Sequence, residues 1–250
     1  RTSEMHLTTA NNHFTLNGIT YKGRLSIIAD HRHHTTQIIN TVSLDDYLYS
    51  VLRSETFQSW PLEMHKVQAI ASRTYALYHM QESRKAGLRY DIKNSNFHQC
   101  YNGHHDYTHL RKALDETKNL VLTYEGKLAL TMFDACCGGS IPAKMNHATV
   151  KETPCLARTE ACTYCKKCPV YSLKKTIDAD EFLNLLNKDV DLKRHLTRLG
   201  TLKDVKISEK DPTGLVQEVH LRGNRKSVNF PGTQITSALK PLAKSRTFSL

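Results

Sequence analysis

An α+β fold is predicted for this chain of 250 residues, with an antiparallel β-rich core and two or three packed amphipathic helices that carry the active site. Three observations predict it. Residues 21–42 have strand-like apolar spacing, residues 43–78 carry two helical stripes joined by a short connection, and residues 205–230 return to strand character. Glycine and proline are sparse and no internal repeat is visible, so connections should be short.

The first strands run from Tyr21-Lys22-Gly23-Arg24-Leu25 to Ile38-Ile39-Asn40-Thr41-Val42, and residues 1–20 are set apart as an N-terminal segment. Ser43 then opens a helix. Ser43 and Asp46 have capping-box spacing, and Leu44, Tyr47, Leu48, Val51 and Leu52 recur at i, i+3, i+4, i+7 and i+8. Glu55 falls where this stripe ends, so its carboxylate is expected at a helix terminus. A second helix is expected to start near Pro61, with Ser59 as cap and Glu63 in the first turn. Its inward face is read as Val67, Ile70, Ala71, Thr74, Leu77 and Tyr78. Arg73 falls on the rim of that face, where two packed helices would let it approach Glu55.

A third amphipathic stretch, His109 to Thr117, leads into a hairpin around Glu125-Gly126. The hairpin delivers the chain to Cys136-Cys137-Gly138-Gly139, where two glycines permit positive φ and close backbone approach. Further on, Asp178 and Glu181 mark a helix start before Phe182, Leu185 and Leu186. The strands of residues 205–230 then surround a Pro212-Thr213-Gly214 turn.

Lys+Arg 35 against Asp+Glu 24 gives a formal charge of +11, with 14 histidines in addition, and this field attracts polyanions. The basic residues are scattered, and no helix-turn-helix, zinc-finger or RNA-binding aromatic signature is present, so nucleic acid is not expected as partner. An anionic glycan or lipid headgroup suits the same charge. No apolar run approaches the roughly 18 residues of a membrane span, and membrane proximity is expected only through a segment outside these residues.

Seven cysteines crowd between Cys100 and Cys168, an odd number that cannot all pair. Cys162, Cys165 and Cys168 form two successive Cys-x-x-Cys spacings with Cys155 upstream, which suits a tetrahedral structural zinc. Disulfides are the rival in an oxidising compartment, and free thiols remain a third reading.

The ordered motifs Leu44-Asp45-Asp46-Tyr47-Leu48, Val51 to Glu55, Trp60-Pro61-Leu62-Glu63 and Lys66-Val67-Gln68-Ala69-Ile70-Ala71-Ser72-Arg73-Thr74-Tyr75-Ala76 resemble the SpoIID/LytB family of peptidoglycan lytic transglycosylases and amidase enhancers. The resemblance extends more weakly through Gly138-Gly139, Pro154 and Lys244-Ser245-Arg246-Thr247-Phe248, so a SpoIID-like domain over 21–250 with a Cys-rich subregion at 134–170 is expected. Thr56 stands where the family has Met, and Asp45 where it usually has Glu.

What the resemblance implies is an extracytoplasmic enzyme that cuts the MurNAc-GlcNAc bond of glycan strands denuded of stem peptides, leaving 1,6-anhydro-MurNAc ends, in company with a cell-wall amidase. The alternative is a non-catalytic glycan-binding amidase enhancer. Glu55 would be the acid/base, needing no cofactor, and burial between two helices would raise its pKa. Arg73 would orient substrate or stabilise developing charge. Gln68, Trp60, Tyr171 and Lys174 are the substrate-binding candidates. The resemblance also offers a second zinc site, at His98 and Cys100.

Overall fold

The computed structural model describes residues 2–31, 34–95, 98–134, 136–137, 153–156, 162–169, 171–172, 174–211 and 216–239. The chain forms two compact units, Arg1–Phe133 and Asp134–Leu250. The fold is α+β, with antiparallel sheets and helices in both units.

In the first unit, β1 (Thr2–Leu7) pairs antiparallel with β4 (Arg24–Asp30), which pairs in turn with β5 (Thr35–Thr41). Residues 1–20 are therefore built into this unit: besides β1 they supply β2 (His13–Leu16) and the start of β3 (Ile19–Lys22), which form a separate hairpin. Its turn places Asn17 and Gly18 at φ 51° and 79°, the conformation a two-residue hairpin requires.

Three helices follow, α1 (Leu44–Glu55), α2 (Leu62–Lys85) and α3 (Thr108–Glu116). Ser43 caps α1 as its spacing predicts, its Oγ accepting the Asp46 N–H at 3.1 Å. Leu48, Tyr49 and Leu52 of α1 meet Ala69 of α2 and Leu110 and Leu114 of α3 in one buried cluster.

The face that α2 buries differs from the expected one. His65, Ala69, Ser72, Arg73 and Ala76 are buried together with Thr74 and Tyr75, whereas Val67 is 59 % exposed. Much of this face is polar, so apolar periodicity misplaces it. Pro61 occupies the N-cap position, without a side-chain cap from Ser59 or any other residue. The expected hairpin after α3 is short, β6 (Thr123–Tyr124) with β7 (Lys127–Leu128), and Glu125 and Gly126 both have positive φ as its turn demands.

The second unit has α4 (Ala179–Leu186), α5 (Val190–Leu196), β8 (Leu202–Lys210), β9 (Val216–Gly223), β10 (Ser227–Pro231) and α6 (Gly232–Ala238). The three strands form an antiparallel sheet in the order β10-β9-β8. Its core is apolar, joining Phe182, Leu186 and Leu192 to Val219, Leu221, Phe230 and Ile235. Asp178 caps α4 through the Glu181 N–H at 2.7 Å, as expected. The Gly138-Gly139 turn, the Pro212-Thr213-Gly214 turn and the motif at 244–248 lie outside the described residues. No described helix is long and apolar enough to cross a membrane.

Candidate active site

Helix α1 ends on Glu55 because Thr56 turns extended and closes the last turn, its N–H and its hydroxyl both reaching the Leu52 carbonyl, at 3.1 and 2.6 Å. An acidic side chain there opposes the helix dipole, so local propensity gives no reason for a carboxylate at this point. Residues gained by tertiary structure hold it. The Cys100 N–H donates to Glu55 Oε1 at 2.9 Å, and Glu55 is half-buried.

Cys100 belongs to a strap, residues 98–105, that runs along α1 and is fastened repeatedly. Asn102 donates its N–H to Ser50 Oγ at 3.1 Å and its side-chain amide to Ser54 Oγ at 3.0 Å, and His105 Nε2 lies 2.7 Å from the Tyr49 carbonyl. Gln99 is fully buried. It accepts from the Tyr47 hydroxyl at 3.0 Å and donates to the Ser72 carbonyl at 3.3 Å, which ties α1 to α2. Gln68 enters the same network by donating to Ser72 Oγ at 3.2 Å.

These contacts set the electrostatics around the carboxylate. Burial pushes the Tyr47 phenol well above its ordinary range, with smaller contributions from Tyr75, Glu55 and Cys100. Burial also raises the Cys100 thiol, and the Glu55 charge and hydrogen bond raise it further. Both neighbours are thus held neutral, as proton-bearing groups facing an acid.

Arg73 is placed differently from the expectation. It is buried, and its guanidinium donates to the carbonyls of Thr117 at 2.9 Å, Leu120 at 3.2 Å and Leu114 at 3.5 Å. These carbonyls belong to the end of α3 and the turn after it, where the Thr117 and Leu120 N–H groups also reach the Leu114 and Thr117 carbonyls. Arg73 therefore closes α3, its guanidinium facing these carbonyls and not the Glu55 carboxylate. The reason is geometric: the residue sits at the centre of the buried α2 face, not on its rim.

Trp60 is half-buried against Phe57, the ring centroids 5.7 Å apart and edge to face. Phe57 is 71 % exposed in the connection that leaves Glu55. Sequence does not single it out, because a lone aromatic in a short loop carries no pattern. Gln99 and Cys100 were likewise not legible as Glu55-side partners, since their contacts join distant segments. Tyr171 is half-buried, with its N–H on the Cys168 carbonyl at 2.9 Å, and Lys174 is exposed; both belong to the second unit.

The metal expectations are also revised. Among the described residues, the sulfurs of Cys137, Cys162 and Cys165 all lie within 4.8 Å of one another. Cys155 is exposed and Cys168 half-buried, and neither belongs to this group. Sequence spacing groups neighbours in the chain, but the fold brings Cys137 from a segment well upstream. His98 and Cys100 do not assemble with a third donor among the described residues. His98 Nδ1 instead sits 3.4 Å from the Tyr75 hydroxyl, with its ring edge-on to His79.

Residues 32–124 match the family SpoIID, described as Stage II sporulation protein. The chain is similar to an uncharacterized protein of Brachyspira hyodysenteriae, 37% identical over 134 residues, which is 53% of this chain and 36% of that protein. It is also similar to the amidase enhancer of Bacillus subtilis, 32% identical over 92 residues, or 37% of this chain and 12% of that protein. The aligned part thus spans well under half the length of either relative. The matched region contains α1, α2, α3 and the strap that holds Glu55.

Proposed function

Because residues 32–124 belong to the SpoIID family, we propose that the chain is an extracytoplasmic lytic transglycosylase that cleaves the MurNAc-GlcNAc bond of peptidoglycan strands with Glu55 as acid and then base. The observation that carries this reading is the hold on Glu55: a half-buried carboxyl at the end of α1, oriented by the Cys100 N–H and flanked by neutral Tyr47 and Cys100.

One carboxyl group suffices for this reaction. The Glu55 proton passes to the departing glycosidic oxygen as the bond from the sugar C1 breaks. The resulting carboxylate takes the proton of the sugar's own 6-hydroxyl while that oxygen bonds to C1. A 1,6-anhydro ring closes, no water is consumed, and Glu55 regains its proton. General acid/base assistance of this kind contributes on the order of 100- to 10,000-fold. Exposed Phe57 and its neighbour Trp60, in the connection that starts at Glu55, supply apolar ring surface for a sugar face.

The formal charge of +11 suits an anionic wall polymer. The relative named amidase enhancer supports cooperation with a cell-wall amidase, which would deliver strands free of stem peptides. The same name supports the rival reading, a glycan-binding enhancer without cleavage. The two separate on Glu55→Gln assayed with denuded strands. The enzyme reading expects at least a 100-fold loss of soluble sugar release with strand binding retained. Wild-type protein that binds strands and releases nothing establishes the enhancer instead.

A further inference from the structure

We propose that Cys137, Cys162 and Cys165 form a zinc site in the second unit, separate from the glycan chemistry assigned to Glu55. The three sulfurs come within 4.8 Å of one another, and the Cys137 and Cys165 sulfurs are 3.7 Å apart. Tetrahedral thiolates bound at about 2.3 Å from a zinc ion stand about 3.8 Å from each other. The observed edge is therefore the spacing such an ion imposes, and it is much longer than the roughly 2.05 Å of a disulfide.

The local backbone supports a ligand role. Cys162 and Cys165 are the two ends of a Cys-x-x-Cys turn that enters the 3-10 helix Tyr164–Lys167. In that turn the backbone N–H groups of Tyr164 and Cys165 face the Cys162 sulfur, the arrangement that steadies a thiolate bound to a cation. A disulfide would pair two of the three sulfurs and leave the third unexplained, whereas a metal uses all three.

On binding, each thiol loses its proton to solvent and the ion takes three sulfur electron pairs, with no change of oxidation state. Three thiolates around a divalent cation leave one negative charge. Exposed Lys166 and Lys167 lie on the same turn and balance it. The fourth tetrahedral position is left to a further donor. The ion would tie Cys137 to a turn 28 residues downstream, closing a long excursion of the chain.

Elemental analysis of the protein as purified tests this directly. The expected result is one zinc per chain, reduced at least tenfold in Cys162→Ser and in Cys165→Ser and unchanged in Cys155→Ser and Cys100→Ser. Since a ligand variant can fail to fold, wild-type protein loaded with cobalt(II) gives a second reading, the intense sulfur-to-cobalt charge-transfer absorption of a thiolate site. Thiol labelling in denaturant with chelator, followed by peptide mapping, should find Cys137, Cys162 and Cys165 all reduced. Wild-type protein that lacks zinc and shows no such absorption overturns the proposal. So does a disulfide at Cys137, Cys162 or Cys165, or zinc that follows Cys100 and not Cys162. Metal content does not depend on strand cleavage, so this inference and the glycosidic one fail separately.

Discussion

A guanidinium enclosed by three carbonyl oxygens, as Arg73 is, carries charge-assisted hydrogen bonds that no neutral side chain can replace in number. Removing it leaves acceptors of Leu114, Thr117 and Leu120 without that donor at a buried helix end. Arg73→Gln should therefore lower stability by about 3 kcal/mol, read as the urea midpoint. Strand cleavage per folded molecule should keep its kcat and KM. Unchanged stability with lost cleavage would return Arg73 to the substrate-orienting role that the family resemblance implies. The capping residues Ser43 and Asp178 were legible in sequence because their hydrogen bonds stay within three residues. The destination of Arg73 was not, because its acceptors lie 41 to 47 residues away.

Among the elements, the strap of residues 98–105 does most to shape the site, and it has no periodicity by which sequence could announce it. Gly103 shows how tightly it is laid down. Its φ is +86°, and a Cβ there would stand 2.5 Å from both the Thr20 carbonyl oxygen and Ile19 Cγ2 of the β2–β3 hairpin. The next N–H, of His104, donates to that same Thr20 carbonyl at 2.7 Å. The hairpin thus positions the strap, and the strap positions Glu55 through Cys100. The Asn17-Gly18 dipeptide signals the turn of the hairpin, although residues 1–20 carry no long apolar pattern around it. Helix α1 was readable because its buried face is apolar. For α2 only the helix itself was clear, and His65, Ser72, Arg73 and Thr74 hid the direction it faces.

At the scale of the whole molecule, burial lowers His65, His79, His98 and His105 below the ordinary histidine pKa. His65 is fully buried, and backbone groups approach its ring. His109 adds to its lowering, and backbone groups of Gln58 and Trp60 oppose it. Above about pH 6.5 these rings are neutral in both folded and unfolded chains, and the full stability is present. Below it the unfolded chain takes up protons first, so stability falls as pH drops towards the lower folded values. Urea midpoints should decline from pH 7 to pH 5, and His65→Leu should reduce the decline. A midpoint that rises with acid over this range would contradict the burial of these rings. The two units also explain why the family match is strongest in one place. Residues 32–124 lie wholly in the first unit, while the cysteine cluster belongs to the second.

The mass of the sugar released from denuded strands tests the role of Glu55 most directly, because a 1,6-anhydro end is lighter than a reducing end by one water. Wild-type protein is expected to give the anhydro mass, and Glu55→Gln to give no product. Fragments that carry reducing ends, or anhydro product persisting at the wild-type rate in Glu55→Gln, would contradict a single recycled carboxyl at residue 55.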